Sequence, residues 1–167
     1  MNRRGFTLIE LLAVIAVMSI LLAMATINFR NWSARQRVER QVREMYADIM
    51  SIRQQSMVTG NNHDFRFTGG GVNIAFRRYT SDESRGGGTP ALFQKNLQFP
   101  VVTSPANPVE FNHRGLTVGS ALICVFTNEN PSRDALVITP ARISMGKIRV
   151  QGSQDATACK KDNIDLK

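Results

Sequence analysis

Residues 6–29, FTLIELLAVIAVMSILLAMATINF, form an apolar run of 24 residues with a single charge, Glu10, and with neither glycine nor proline. As a helix the run is roughly 36 Å long, enough to cross a hydrocarbon core of about 30 Å. It exceeds the apolar region of a secretory signal peptide, and no small-x-small cleavage site with a polar mature start follows it. The run therefore reads as a retained span. Glu10 is its outlier, because a carboxylate near the start of a membrane helix is costly without a partner and marks function by default.

The absence of glycine and proline continues to Gly60, while Val38, Val42, Met45, Ile49 and Ile52 recur at steps of four, three, four and three. This spacing predicts an amphipathic helix whose apolar stripe packs on the protein's own sheet. Trp32 stands near the end of the span, where amphipathic aromatics settle. Joined into one rod, residues 6–57 would extend roughly 75–80 Å. No proline interrupts the later half of the span, so no kink is expected there.

After Gly60 and Asn61 the pattern changes to short alternating runs between turn formers: HDFRF at 63–67, VNIAFRRY at 72–79, LFQKNLQF at 92–99, VEFN at 109–112, ALICVFT at 121–127 and ALVIT at 135–139. RISM and KIRVQ then flank Gly146. The expected fold class is α+β, a long N-terminal helix packed on a β-rich, sandwich-like head. A chain of 167 residues accommodates one such head plus its appendage. Residues 80–91, TSDESRGGGTPA, read as a polar surface loop.

Chemistry-bearing patterns are sparse. His63 and His113 are the only histidines, and neither is paired with a nucleophile, so no catalytic site is expected. The glycine triplets at 69–71 and 86–88 lack the Gly-Lys-Ser/Thr sequence of a phosphate-binding loop. Scattered acidic residues give no metal-ligand spacing, and no cofactor is expected. Cys124 and Cys159 fit no zinc motif. In an oxidising exterior they could close one long loop, contributing on the order of 3–4 kcal/mol; two free thiols suit the sequence equally. The net charge of +8 is spread along the chain, and a diffuse positive field attracts nucleic acid, anionic lipid or acidic proteins alike.

The opening residues, MNRRGFTLIELLAVIAVMSILLA, resemble the processing signal of type IV prepilins and type II secretion pseudopilins. The segments FNHRGLT at 111–117 and ISMGKIRV at 143–150 resemble hairpin patterns in heads of the GspH/FimT group of minor pilins and pseudopilins. The resemblance implies that prepilin peptidase cuts after Gly5, that Phe6 becomes an N-methylated terminus, and that Glu10 neutralises the terminal ammonium of a neighbouring subunit. It also implies a division into a leader (1–5), a transmembrane and assembly helix (6–29), its amphipathic continuation (30–57) and a head (58–167). The chain would cross the inner membrane once, with its head in the periplasm, and join other pilins or pseudopilins in a filament. Arg30, Arg35, Arg37 and Arg40 run against that orientation, since cations after a span favour the cytoplasmic side. The specific N-terminal pattern outweighs that general rule.

The leading expectation is thus a minor structural subunit that initiates, caps or regulates a type IV pilus or a type II secretion pseudopilus. A major pilin is a less favoured variant, because the head resembles the minor group. A different class of function is DNA binding for uptake, since some FimT-like minor pilins bind DNA through a basic C-terminal motif. The corresponding residues here are Lys147 and Arg149 around Ile148, with Arg142, Lys160 and Lys161 as extensions, and any DNA binding would be independent of sequence. Against it, residues 151–167 carry no net charge.

Overall fold

The computed structural model describes residues 7–79, 92–104, 108–117, 119–151 and 158–166, with the side chains of 27, 28 and 79 outside that description. The loop expected at 80–91 and the cleavage site at Gly5 lie outside the described residues. One helix, α1, runs from Leu8 to Thr59, 52 residues or about 78 Å. Thr7 caps its start, and Gly60 ends it with the left-handed φ of 66° that glycine adopts without a Cβ penalty. Within the apolar part, Ser19 and Thr26 donate to the carbonyls of Ile15 and Ala23, both at 2.8 Å, so neither hydroxyl needs a solvent partner.

Along α1 the surroundings change abruptly. Every residue from Leu8 to Thr26 is exposed, whereas from Ala34 onward Val38, Val42, Met45, Ile49, Ile52 and Ser56 are buried. The stripe read from the sequence is therefore the docking face. Polar bonds fasten its flanks. Gln41 pairs with both backbone groups of Phe99, donating to its carbonyl at 2.7 Å and accepting from its N–H at 2.8 Å. Glu39 accepts from the Ser132 N–H at 2.8 Å, and Arg35 and Arg53 each donate to a carbonyl, of Glu129 and Ala141, at 2.9 Å.

Among the described residues, the head contains nine short strands: β1 (Asn62–Thr68), β2 (Asn73–Tyr79), β3 (Phe93–Asn96), β4 (Val102–Ser104), β5 (Val109–Phe111), β6 (Ala121–Cys124), β7 (Ala135–Ile138), β8 (Ile143–Ile148) and β9 (Ile164–Leu166). They form two antiparallel sheets, of order β3-β2-β1-β5 and β4-β6-β7-β8-β9. Phe65, Phe67, Ile74, Phe76 and Phe111 from the first sheet meet Ile123, Leu136 and Ile138 from the second across the helical stripe. The period-two alternation then sends Leu122, Cys124, Ala135 and Val137 to the opposite side of the second sheet. There they form a separate core with Phe126, Ile148, Cys159 and Ile164. This second sheet is buried on both faces.

Several expected boundaries move. The helix begins at Leu8 and ends at Thr59 rather than spanning 6–57, and RISM and KIRVQ are parts of one strand running through Gly146. The three-residue strands β4 and β9 were not expected, since so short a run shows no alternation of its own. β9 pairs with β8 in the register Gly146↔Leu166, Lys147↔Asp165 and Ile148↔Ile164. A Cβ at Gly146 would lie 2.5 Å from Cγ2 of Ile164 and 2.9 Å from the Asp165 carbonyl oxygen, so glycine is what lets β9 approach.

Cys124 on β6 and Cys159 before β9 are joined by a disulfide, with Cα atoms 5.9 Å apart at a sequence separation of 35. Its loop length corresponds to about 4 kcal/mol in the chain-entropy account. Replacing both cysteines by serine should cost about 2–4 kcal/mol in chemical denaturation. Amide exchange should accelerate at residues 158–166 and in β8 before it does in β1, β2 or the stripe of α1. Uniform acceleration throughout the head would show that the second core is not a separate unit.

Candidate functional site

At the start of α1 the sequence TLIE folds into a reciprocal cap. The Glu10 N–H donates to Thr7 Oγ1 at 3.3 Å, and the Thr7 N–H donates to Glu10 Oε2 at 3.3 Å. Each side chain satisfies a backbone donor that a helix start otherwise leaves open, and the carboxylate sits where the helix dipole favours negative charge. Only Oε2 is engaged; Oε1 has no hydrogen bond among the described residues. Glu10 therefore presents a free carboxylate oxygen on a helix surface otherwise covered by Leu8, Ile9, Leu11, Leu12, Val14 and Ile15, all exposed. In apolar surroundings such a group requires a cation, and none is supplied by its own helix turn.

The residues proposed for DNA lie on β8, before and after it, and beside the turn into β9. β8 ends at Ile148, so the expected pair of cations flanking Ile148 on a strand is broken. Arg149 lies in the following bend, where its guanidinium grips Asp165 of β9, with Nε donating to Oδ1 at 2.7 Å. That hydrogen bond, followed by the charge of Asp165, raises its pKa further. Lys147 faces the same Asp165 in the strand register. Arg142 precedes the other end of β8, about 17 Å from Lys147 at the usual strand rise. Lys160 and Lys161 are exposed beside the turn that leads into β9. Asp165 counted in the sequence only toward the neutral charge of 151–167; its pairing with Arg149 became visible once β9 had a place.

Buried polar groups serve the scaffold. Asp134 is fully buried and accepts from the Ile148 N–H at 2.6 Å and from Gln151 Nε2 at 2.6 Å; burial raises its pKa, and these bonds partly counter it. His63 is almost wholly buried, with Nδ1 3.0 Å from Ser56 Oγ and 3.2 Å from the Asn61 carbonyl. Ser56 in turn donates to the Ile52 carbonyl at 3.0 Å. Closed from solvent, this serine and histidine join the end of α1 to β1 and leave no room for a substrate.

A helix with a bare apolar front, docked by its rear half on two antiparallel sheets, is the pilin fold. The prokaryotic N-terminal methylation motif matches residues 1–26. Among solved structures, the fold is similar to the type IV minor pilin FimU of Pseudomonas aeruginosa, with TM-score 0.54 and 12% identity over 68% of this chain and 91% of that one. It is also similar to the minor pseudopilin EpsH of the Vibrio cholerae type 2 secretion system, with TM-score 0.51 and 10% identity over 71% of this chain and 99% of that one. A search of curated proteins gave no significant match.

Two predictions follow from this geometry. Burial holds the pKa of His63 below its ordinary 6.5. The folded state thus keeps the imidazole neutral, the unfolded state binds the extra proton, and stability is lost as pH falls from about 6.5 toward the lowered value. The urea midpoint of the full-length protein in detergent should fall over that interval, and His63→Gln should flatten the dependence whatever its midpoint at pH 7. An equal slope in both proteins would place the titration elsewhere.

For the basic edge, Lys147→Gln/Arg149→Gln should change weak, salt-sensitive binding to duplex DNA by less than about threefold, because Asp165 already engages Arg149. A flattening of the salt slope by about 2 units would instead make both residues phosphate contacts.

Proposed function

We propose that this chain is a minor structural subunit of a type IV pilus or a type II secretion pseudopilus, one that helps to initiate, cap or regulate the filament. Prepilin peptidase removes residues 1–5, Phe6 becomes the methylated terminus, and the apolar front of α1 holds the subunit in the inner membrane with its head in the periplasm. The same apolar surface then packs among the helices of other pilins or pseudopilins. The observation that carries this reading is the wholly exposed apolar sleeve from Leu8 to Thr26, broken by one carboxylate, on a helix locked into its head from Ala34 onward.

The physical case is one of two environments with the same demand. Lipid and a bundle of neighbouring helices both accept an all-apolar surface whose backbone bonds are internal, whereas water does not. A continuous helix transmits the position of the head directly to the buried end. Glu10 supplies register: when its carboxylate meets a neighbour's terminal ammonium, both charges are compensated, and any other axial offset leaves each unpaired at a cost of several kcal/mol. DNA uptake is not favoured by a specific observation, since the cations proposed for it are separated or engaged by Asp165.

The test is incorporation of Glu10→Ala and Glu10→Gln subunits into purified filaments, beside wild type, in cells that contain prepilin peptidase. Incorporation should fall on the order of tenfold or more for both, which a penalty above about 1.4 kcal/mol already produces. Intact masses should show loss of the first five residues in every case, separating a processing defect from an assembly defect. Normal incorporation of Glu10→Ala would remove the proposed role of that carboxylate.

A further inference from the structure

The assembly reading leaves the arginines that follow the apolar run without a task. Arg35 donates to the Glu129 carbonyl, and Arg43 pairs with Glu39 at 3.0 Å. Arg30, Arg37 and Arg40 are exposed and make no hydrogen bond or ion pair among the described residues. Arg30 lies one turn before Ala34, where the buried stripe has not yet begun, whereas Arg37 and Arg40 flank the stripe of Val38 and Val42 on one side. Arg37 and Arg40 border an open groove against head residues 95–98 and remain exposed.

Their height along the helix is informative. Phe29 is the last residue of the apolar run, and the ring centroids of Phe29 and Trp32 lie 5.8 Å apart on an exposed surface, as aromatics do at a membrane boundary. Arg30 is about 1.5 Å beyond Phe29, Arg37 about 12 Å and Arg40 about 16 Å. The headgroup layer is roughly 5–8 Å deep on each side of a bilayer. Because every Cα–Cβ bond of a helix tilts toward its N-terminus, these side chains lean back toward the span, and their long stems carry the charge further in the same direction. Glu10 lies 20 residues before Arg30, about 30 Å, which is the thickness of the hydrocarbon core.

We propose that Arg30 and Arg37, backed by the field of Arg40, form a docking site for anionic phospholipid headgroups in the leaflet nearest the head. The inference rests on the reading of residues 6–29 as a membrane span. Lipid is favoured over an acidic protein because the cations begin one residue after that span, where phosphates must lie whatever other subunits do. A guanidinium is weakly hydrated and matches a phosphate with two parallel hydrogen bonds. With Glu10 at one edge of the hydrocarbon and Arg30 at the other, the contact sets the depth of the helix before the subunit leaves the membrane. Extraction into a filament then has to break it.

The test uses the full-length chain reconstituted into phosphatidylcholine vesicles, with traces of spin-labelled phosphatidylglycerol or phosphatidylcholine as probes of the lipid next to the protein. Wild type should select phosphatidylglycerol several-fold over phosphatidylcholine at low salt. The preference should weaken toward 1 M salt, where the screening length falls to about 3 Å. Arg30→Gln/Arg37→Gln should abolish it, Arg40→Gln should reduce it less than either single change, and Arg43→Gln, already paired and higher on the helix, should leave it intact. Equal association of the two probes with wild type, or a preference retained by the double variant, overturns the proposal and leaves the band to an acidic protein surface. Flotation separates the two readings: a chain that enters neither vesicle type refutes the span and the lipid site together, whereas insertion into both without selectivity refutes the lipid site alone.

Discussion

The burial of one narrow stripe of α1 is what the rest of the structure depends on. Val38, Val42, Met45, Ile49 and Ile52 are each fully buried or nearly so, and each contributes about 1.5–3 kcal/mol by leaving water. They serve both sheets at once, since Phe65, Phe76 and Phe111 approach from one and Ile123, Leu136 and Ile138 from the other. Without the helix neither sheet has a complete core. Without the sheets the rear half of the helix would expose its apolar stripe, and the front half would have no head to position. The helix is therefore both the centre of a globular core and a probe projecting from it.

The second sheet is organised differently. Its outer face does not meet solvent but a short C-terminal segment, held by the Cys124–Cys159 bond, by pairing of β9 with β8, and by the Arg149–Asp165 contact. Asp134 closes the same region from within, accepting from the Ile148 backbone and from Gln151. A buried carboxylate without such donors would cost several kcal/mol, so these bonds help fix where β7 and the end of β8 lie. The same packing sets an acid among the basic residues of the C-terminal region. Asp165 is brought beside Lys147 and Arg149 by strand pairing, not by nearness in sequence.

Charge is distributed by function along the axis of α1. Glu10 is placed in the first turn, where it caps its own helix and keeps one carboxylate oxygen free. Arg35, Glu39 and Arg53 are spent on the loops of the head, and Arg30, Arg37 and Arg40 are left facing outward just beyond the apolar run. On the proposed reading, this ordering lets a single helix meet lipid, headgroups and a protein core in succession. Each change of surroundings coincides with a change in residue type.

The sequence by itself determined the helix, its division and its stripe, because these depend on local periodicity and on the absence of glycine and proline from residue 6 to residue 59. It also singled out Glu10, a lone charge in an apolar run, and placed the change to strand-like pattern after Gly60 and Asn61, although it ended the helix at 57. Strands with alternation, such as β1 and β2, or with a short apolar run between turn formers, such as β7, were legible for the same reason. Tertiary structure decided the remainder. β4 and β9 are three residues each and become strands only because β6 and β8 offer them a free edge. The pairing of Cys124 with Cys159 needed two distant segments brought to 5.9 Å between Cα atoms. The sequence showed that residues 151–167 carry no net charge, but not that Asp165, sixteen positions after Arg149, would be the acid to engage it. Local pattern reports what a segment prefers; which segments meet, and which charges are then neutralised, is a property of the packed chain.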